Sequence, residues 1–138
     1  MDQYAIAFGG ITCIHTCIHT CIHTGVDAGV EKLLLDSLGR VVDIVEQGRK
    51  ALIEGDLDAL GVLMNKQQAE EKLMGTSTDR LENFCAAARE AGALGAKQIG
   101  AGGGGCMIAL CPREGLESVK SALESLGAPA WAFKIVED

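Results

Sequence analysis

Apolar residues recur every three or four positions through the middle of the chain, and this spacing places them on one face of a helix. The first run starts near Val30, and we expect Gly39 and Gly48 to bend or divide it, because glycine weakens a helix interior. The dipeptide Gly55-Asp56 then supplies a helix stop followed by a helix cap. The pattern therefore predicts a long helical segment that ends before this dipeptide.

Two shorter helices are predicted after the long segment. The second helix is expected over residues 57–73, with Gly75 just beyond its end. Either Ser77 or Thr78 is a suitable cap for the third helix, which stops near Gly92. The apolar residues that the third helix should bury are Leu81, Phe84, Cys85 and Ala88.

The last third of the chain changes to a strand pattern. Residues 97–99 and 106–111 are predicted strands on either side of a glycine tract, residues 114–126 a helix, and residues 130–136 a last strand. We expect Trp131 of that strand to lie in the core. With the helices, this order predicts an α+β fold, a two-layer sandwich in which an antiparallel sheet packs on helices within a single domain.

Composition narrows the range of functions. The 138 residues are 48% apolar but only 4% aromatic, so we expect an aliphatic core. The net charge of −7 argues against nucleic acid and an anionic membrane surface as partners, since both attract basic proteins. The uncharged stretch from Gln3 to Val26 is too rich in histidine and threonine for a transmembrane helix. Without a signal peptide or a disulfide framework, the expected location is the cytoplasm.

The N-terminal region carries three copies of the tetrapeptide Cys-Ile-His-Thr, from Cys13 to Thr24. On a strand, all its cysteines and histidines face one side, and such donors suit Zn²⁺ or Cu(I). A single straight row cannot surround a tetrahedral ion, however, and the spacing fits no standard zinc module. We therefore interpret residues 1–24 as an N-terminal strand region without a metal ligand, and a metal-binding module stays an alternative.

The presence of so many glycines between the two predicted strands needs a physical explanation, because glycine is entropically costly to order. One reason is a tight hairpin that needs positive φ angles at several positions. The other is an anion-binding nest, in which bare backbone N–H groups approach a ligand closely. The tract matches neither the Walker pattern nor the dinucleotide fingerprint, since no Gly-Lys-Ser/Thr and no helix follow it.

The residues around this tract resemble the third motif of the GHMP kinases, a family that includes galactokinase and mevalonate kinase. The similarity runs from Ala88 to Ile99 and on through GAGGGGCMIAL. Residues 61–68, GVLMNKQQ, are similar to a helix of archaeal-type mevalonate kinases. The resemblance implies a ferredoxin-like C-terminal kinase domain that works with ATP and Mg²⁺. It also implies a nucleotide-binding role for Gly100, Ala101, Gly102, Gly103, Gly104 and Gly105.

Four charged residues near these motifs are expected to be solvent-exposed and to have no role in the site. Glu70 and Glu71 stand where the similar helix has leucines, and we expect them, with Lys72, to form a solvated helix face. Lys97 precedes the glycine tract and is expected to be a surface lysine. Neutralisation of a bound anion is the alternative role for Lys97.

The start of the chain resembles a second segment of the family, in which an aspartate stands seven residues before a Gly-Gly pair. Asp2 holds that position ahead of Gly9. The resemblance gives Asp2 the catalytic role of accepting or orienting the proton of the substrate hydroxyl. The alternative is a solvated aspartate at a frayed terminus. The tripeptide Asp2-Gln3-Tyr4 also resembles the corresponding residues in the sugar kinases of the family.

The resemblance implies a kinase that requires a second half. The family's phosphate loop, P-x-x-x-G-L-G-S-S, does not occur in this sequence, so we expect the N-terminal phosphate-loop domain to be absent and the chain to be inactive alone. The implied reaction is ATP-dependent phosphorylation of mevalonate, with a sugar or sugar phosphate as the alternative acceptor. Expected partners are that small alcohol and either the missing kinase half or a second copy. A non-catalytic assembly module is the remaining alternative.

Overall fold

The computed structural model describes residues 28–133, so Asp2 and the Cys-Ile-His-Thr repeat lie outside the described residues. Its helices and strands, in chain order, are α1 (Ala28–Glu54), α2 (Leu57–Leu73), α3 (Asp79–Glu90), β1 (Gly95–Ile99), β2 (Cys106–Leu110) and α4 (Leu116–Ser125). A 3₁₀ turn over Arg113–Gly115 precedes α4, which therefore starts two residues later than predicted. Between residues 28 and 133 there is no helix with the length and apolar character needed to cross a membrane.

Helix α1 is unbroken at Gly39 and Gly48, where the sequence predicted a bend or a division. Gly48 is buried against α2, where an added Cβ would lie 3.8 Å from the Cδ1 atom of Leu60. Packing along α2 outweighs the penalty of about 1 kcal/mol that each glycine brings to a helix interior. The predicted division of this helix is therefore wrong, because tertiary packing overrides local propensity here. The buried residues of α1 are Ser37, Ile44, Gly48 and Ala51.

The capping signals of α2 and α3 are confirmed. The Asp56 side chain accepts a hydrogen bond from the backbone N–H of Ala59 at 2.9 Å. At the start of α3, the Thr78 side chain accepts one from the N–H of Leu81 at 3.3 Å. Ser77, the other candidate cap, instead donates to a carboxylate of α3. Each cap satisfies one backbone donor that the first turn of a helix leaves unpaired.

The two strands form an antiparallel hairpin in which Gly95 pairs with Leu110 and Ile99 with Cys106. The main core cluster lies between this hairpin and the helices α3 and α4, and consists of Cys85, Ala88, Ala96 and Val119. All four apolar residues predicted for the inner face of α3 are buried. Helices α1 and α2 share a second cluster. The predicted α+β class, with an antiparallel sheet packed on helices, is confirmed.

The C-terminal part of the prediction is wrong over the described residues. Positions 130–133 have no regular secondary structure, and the rest of the predicted strand, 134–136, lies outside the described residues. Trp131 is 73% exposed and Phe133 is 88% exposed, so the predicted core position of Trp131 is also wrong. An aromatic side chain on a closing strand is buried only if that strand pairs with the sheet, and residues 130–133 do not pair with β2.

Helix α2 and strand β1 approach each other unusually closely, at Gly61 and Gly95. An added Cβ at Gly61 would lie 2.6 Å from the carbonyl carbon of Leu94, and one at Gly95 would collide with the Gly61 carbonyl oxygen. Only residues without a side chain allow two backbones to meet in this way. The contact brings the polar side chains of α2 within hydrogen-bonding distance of β1.

Candidate functional site

Two side chains of α2 form hydrogen bonds with the backbone groups along the edge of β1 that faces away from β2. Asn65 donates from Nδ2 to the Leu94 carbonyl at 3.1 Å and accepts from the Ala96 N–H at 3.0 Å. One turn later along α2, Gln68 Oε1 accepts from the Gln98 N–H at 2.7 Å. These amides replace a neighbouring strand, since buried backbone groups require partners. The end of β1, where the glycine tract begins, is thereby fixed to α2.

The glycine tract is the hairpin loop between β1 and β2. The interpretation as a tight hairpin is confirmed, because five of its six residues have positive φ angles. Ala101 is the exception, and it is also the one residue of the tract with a side chain. L-residues with a Cβ rarely adopt positive φ, so this loop shape requires glycine. The positive-φ residues are Gly100, Gly102, Gly103, Gly104 and Gly105.

The loop between α2 and α3 anchors the glycine tract. The N–H of Gly103 donates to the Thr76 carbonyl oxygen at 2.8 Å. Beside it, an added Cβ at Gly102 would collide with the same carbonyl oxygen and would lie 2.8 Å from Gln98 Nε2. The middle of the tract therefore contacts Thr76 and Gln98. Gly102 is half-buried there, whereas the other residues of the tract, Gly103 included, are exposed.

Glu71, Thr76 and Gln98 form a hydrogen-bonded triad beneath the tract, which we call the Glu71 triad. The Thr76 hydroxyl donates to Glu71 Oε2 at 2.6 Å. Gln98 Nε2 lies 3.2 Å from Glu71 Oε2 and 3.3 Å from Thr76 Oγ1. Glu71 is half-buried. The expectation of a solvated face is therefore wrong for Glu71, because its carboxylate accepts hydrogen bonds from Thr76 and Gln98 beneath the hairpin loop.

The carboxylate of Glu82, on α3, stabilises the loop between α2 and α3. Glu82 Oε1 accepts from Gln68 Nε2 at 2.6 Å and from the Ser77 hydroxyl at 2.7 Å. Lys72 lies 3.7 Å from the other carboxylate oxygen. Burial pushes the pKa of Glu82 upward, but these hydrogen bonds and positive charges outweigh it and leave the pKa below its ordinary value. Glu82 therefore stays ionised at neutral pH.

The Glu70 carboxylate joins α1 to α2. Arg40 donates to it from Nε at 2.7 Å and from Nη2 at 2.8 Å, a bidentate pair, and Ser37 donates at 2.8 Å. The Arg40 hydrogen bond holds the pKa of Glu70 below its usual range. The expectation of a solvated face is wrong for Glu70 as well, because its partners lie on a neighbouring helix.

Lys97 is half-buried on β1, so the expectation of a surface lysine is wrong. Removal from water lowers the pKa of its ammonium group, and the nearby Glu71 carboxylate opposes this change. Within residues 28–133, Lys97 makes no ion pair closer than 4 Å. A half-buried cation on the strand that leads into the glycine tract keeps the anion-neutralising alternative open.

The three described cysteines are free and differ in exposure. Cys85 is fully buried, and burial raises its pKa to about 11. Burial also raises the pKa of Cys111. Thiols with raised pKa are poor nucleophiles. Cys85 is part of the apolar core, as predicted, whereas Cys106 at the end of the tract is exposed.

The structure unites the predicted glycine positions in one loop, and Asp2 stays a prediction because it lies outside the described residues. Sequence reasoning missed the side chains that hold this loop: Gln68, Glu71, Thr76 and Gln98. One signal could have indicated α2, because Asn65 and Gln68 are three residues apart and share a helix face. Amide side chains at this spacing can pair with a strand edge.

Comparison with known proteins identifies the class to which this fold and loop belong. Residues 49–129 match the family described as GHMP kinases C terminal. The match covers more than half of the chain, so the chain belongs to the GHMP kinase family. The resemblance seen around the glycine tract is thereby confirmed.

Several relatives within that family are mevalonate kinases. The mevalonate kinase of Thermococcus sibiricus is 41% identical over 107 residues, which are 74% of this chain and 31% of that protein. For the mevalonate kinase of Pyrococcus furiosus the identity is 40% over 101 residues, 70% of this chain and 29% of that protein. The chain thus spans less than a third of the length of these two relatives.

Two solved structures share the fold. The structure of L. major mevalonate kinase in complex with R-mevalonate superposes with a TM-score of 0.59 at 32% identity, over 73% of this chain and 36% of that one. The Lactococcus lactis galactokinase complexed with galactose gives a TM-score of 0.56 at 31% identity, over 63% of this chain and 24% of that one. Both are similar to this chain over a minor part of their own length.

Proposed function

We propose that the chain provides the C-terminal part of an ATP-dependent kinase that converts mevalonate to phosphomevalonate. The observation that carries the proposal is the glycine hairpin, with five positive-φ glycines held on α2 and on the α2–α3 loop. Relatives about 40% identical to the chain are mevalonate kinases, which supports mevalonate over other acceptors. ATP supplies the phosphoryl group when it is bound.

The tract residues fit a nucleotide phosphate. Within residues 28–133, the Gly103 amide is the one in the tract that donates to another loop, which leaves neighbouring amides for a ligand. Exposed amides without a side chain to block them form an anion-binding concavity. Such donors stabilise negative charge that is transferred between oxygens, because they are oriented before the reaction. Their role is to bind and orient phosphate oxygens.

Mg²⁺ does not fit the described residues in the same way. Residues 28–133 contain no group of three or more His, Cys, Asp or Glu side chains that could hold a metal ion. The Glu71 and Glu82 carboxylates, which contact the α2–α3 loop beside the tract, already accept hydrogen bonds from protein donors. We therefore assign no magnesium ligand to this part of the chain and derive no step through the ion.

Asp2 keeps the proposed catalytic role that the family resemblance gives it. A carboxylate close to the acceptor hydroxyl accepts or orients its proton as the new O–P bond forms. The phosphate loop of the family would come from an N-terminal kinase half, since this sequence does not contain it. We expect negligible turnover by the chain alone, because most of the charge stabilisation in phosphoryl transfer would then be missing.

Complementation tests this function. The chain is co-expressed with the N-terminal part of the Thermococcus sibiricus mevalonate kinase that it does not span, and ADP release is measured with mevalonate and with galactose. We expect mevalonate-dependent turnover that the chain alone does not give and that Asp2→Asn abolishes. Absence of turnover with both acceptors overturns the proposal, and full activity of Asp2→Asn rejects that residue's role.

A sugar or sugar-phosphate kinase is the second candidate function. The structural similarity to a galactokinase complexed with galactose favours it, at a TM-score only slightly below that of the mevalonate kinase. Turnover with galactose or galactose phosphate, and none with mevalonate, in the same complementation experiment would select this candidate. The glycine hairpin would keep its phosphate-binding role in either case, because both reactions use the same donor.

A further inference from the structure

Gln98 is the most deeply buried polar residue near the glycine tract, and it is incompletely satisfied. Its side chain is 1% exposed, and its Oε1 atom has no hydrogen-bond partner among residues 28–133. An unpaired buried acceptor is costly, and a leucine of similar size would avoid that cost. What leucine cannot supply is the pair of N–H donors that Gln98 directs at Glu71 and Thr76.

The Glu71 triad fixes Thr76 from several directions. The Thr76 N–H donates to the Glu71 carbonyl at 3.0 Å, its hydroxyl donates to the Glu71 carboxylate, and its Oγ1 lies 3.3 Å from Gln98 Nε2. The remaining polar atom of Thr76, its carbonyl oxygen, is the acceptor for the Gly103 N–H. Glu71 and Gln98 therefore act on the tract through Thr76.

The tract has few other means of keeping its shape. Glycine is the most flexible residue, so a loop with five of them samples many conformations unless contacts restrict it. The described restriction is the bond from Gly103 to Thr76, together with the close contact of Gly102 with Thr76 and Gln98. A phosphate-binding loop that is already ordered loses less entropy when the nucleotide binds.

We propose that Gln98 and Glu71 are positioning residues for nucleotide binding, and that they hold the glycine tract in its phosphate-binding shape through Thr76. This inference rests on the proposed kinase function. Neither side chain touches the nucleotide in this scheme. Their loss should therefore weaken ATP binding and leave the binding of the phosphoryl acceptor unchanged.

The first test measures KM for ATP and for the acceptor in the complemented enzyme. We expect Gln98→Leu to raise the KM for ATP about tenfold, the size of one or two ordinary hydrogen bonds, with the acceptor KM unchanged. Thr76→Val removes the hydroxyl that links Glu71 to Gln98, and it should raise the KM for ATP to a similar extent. Glu70→Gln is the matched control, because Glu70 is the adjacent carboxylate but bonds to α1.

The second test needs no activity. In the ¹⁵N-labelled chain, amide hydrogen exchange at Gly103 reports the bond to Thr76 directly. We expect Gln98→Leu to speed this exchange about tenfold, Thr76→Val to do the same, and Glu70→Gln to leave it unchanged. If Gln98→Leu does not fold, Thr76→Val replaces it, because valine keeps the backbone carbonyl and shape but removes the hydroxyl.

The two tests separate the two proposals. Absence of turnover in the unmodified complemented enzyme overturns the kinase function, and the Gly103 exchange still decides whether the triad holds the loop. Turnover together with an unchanged KM for ATP in Gln98→Leu overturns the positioning role. A variant that raises both KM values equally also overturns it, since a general loss of structure would then explain the result.

Discussion

Gly100 and Gly102 of the glycine tract have the same backbone strain but different steric surroundings, so comparing substitutions at the two positions distinguishes these effects. Gly100 and Gly102 have φ angles of +82° and +81°, so a side chain at either position meets the same intrinsic strain. Their surroundings differ, because an added Cβ at Gly100 would meet nothing within 4 Å, whereas one at Gly102 would collide with the Thr76 carbonyl. The pair isolates the contribution of the contact between the tract and the α2–α3 loop.

We predict that Gly102→Ala destabilises the chain more than Gly100→Ala does. Positive φ costs an alanine about 1 kcal/mol in either variant. The collision at Gly102 adds about 1–3 kcal/mol, because the loop must move away and lose its hydrogen bond. Urea unfolding followed by circular dichroism gives both free energies of unfolding. Equal losses in the two variants would show that the contact with Thr76 contributes nothing.

Single-residue roles could be predicted from sequence only where they depend on local backbone geometry. The hairpin at the tract was predictable because consecutive glycines indicate positive φ. The use of Glu71 was not, because its partner Gln98 is 27 residues away and a charged position on a helix gives no information about such a partner. The expectation of a solvated face therefore failed for Glu70 and Glu71, which are half-buried carboxylates whose hydrogen-bond donors are distant in the sequence.

At the scale of elements, the position of the site depends on how closely α2 lies against β1. Gly61 and Gly95 let the two backbones meet, and the hydrogen bonds of Asn65 and Gln68 to β1 require that proximity. The same helix carries Glu71 toward the glycine tract. The fold therefore positions the site through a backbone contact that lies nearly three turns of α2 before Glu71.

We predict that Gly61→Ala and Gly39→Ala change stability in opposite directions. Alanine at Gly61 would place its Cβ 2.6 Å from the Leu94 backbone and push α2 away from β1, at a cost of about 3 kcal/mol. Alanine at Gly39, an exposed position in α1 with nothing within 4 Å, should gain up to about 1 kcal/mol from helix propensity. Thermal and urea unfolding measure both.

The second variant is the control for the first, because the substitution is identical and both positions are helical. Stabilisation by Gly61→Ala would contradict the close approach of α2 to β1. The helices themselves were predictable, since periodic apolar residues and caps are local signals. The unbroken course of α1 was not, because it depends on packing against α2, which glycine content does not reveal.

At the scale of the whole molecule, large apolar side chains remain on the surface of the described residues. Among the aromatic residues of the described part of the chain, Trp131 and Phe133 are the most exposed, and they follow α4 without pairing to the hairpin. Sequence reasoning placed Trp131 in the core because a tryptophan on a strand usually packs. Hydrophobicity alone could not show whether its partner surface belongs to this chain, since that depends on how the chain end meets the sheet.

Exposed aromatic side chains are the residues that carry most energy in protein interfaces. We therefore predict that the chain alone self-associates with rising concentration, and that the complementing kinase half replaces this contact. Sedimentation velocity at several concentrations measures the association. The single tryptophan reports it independently, because the emission of an exposed Trp131 should shift to shorter wavelength as the indole leaves water.

A matched pair of variants locates the contact. Phe133→Ser should weaken self-association about tenfold, the effect of one aromatic hot spot of modest strength. Ile53→Ser removes an apolar side chain that is almost as exposed but lies at the end of α1, and it should leave association unchanged. Equal weakening by both variants would place the contact elsewhere. A chain that stays monomeric at every concentration, with its tryptophan emission unchanged, would show that this surface needs no partner.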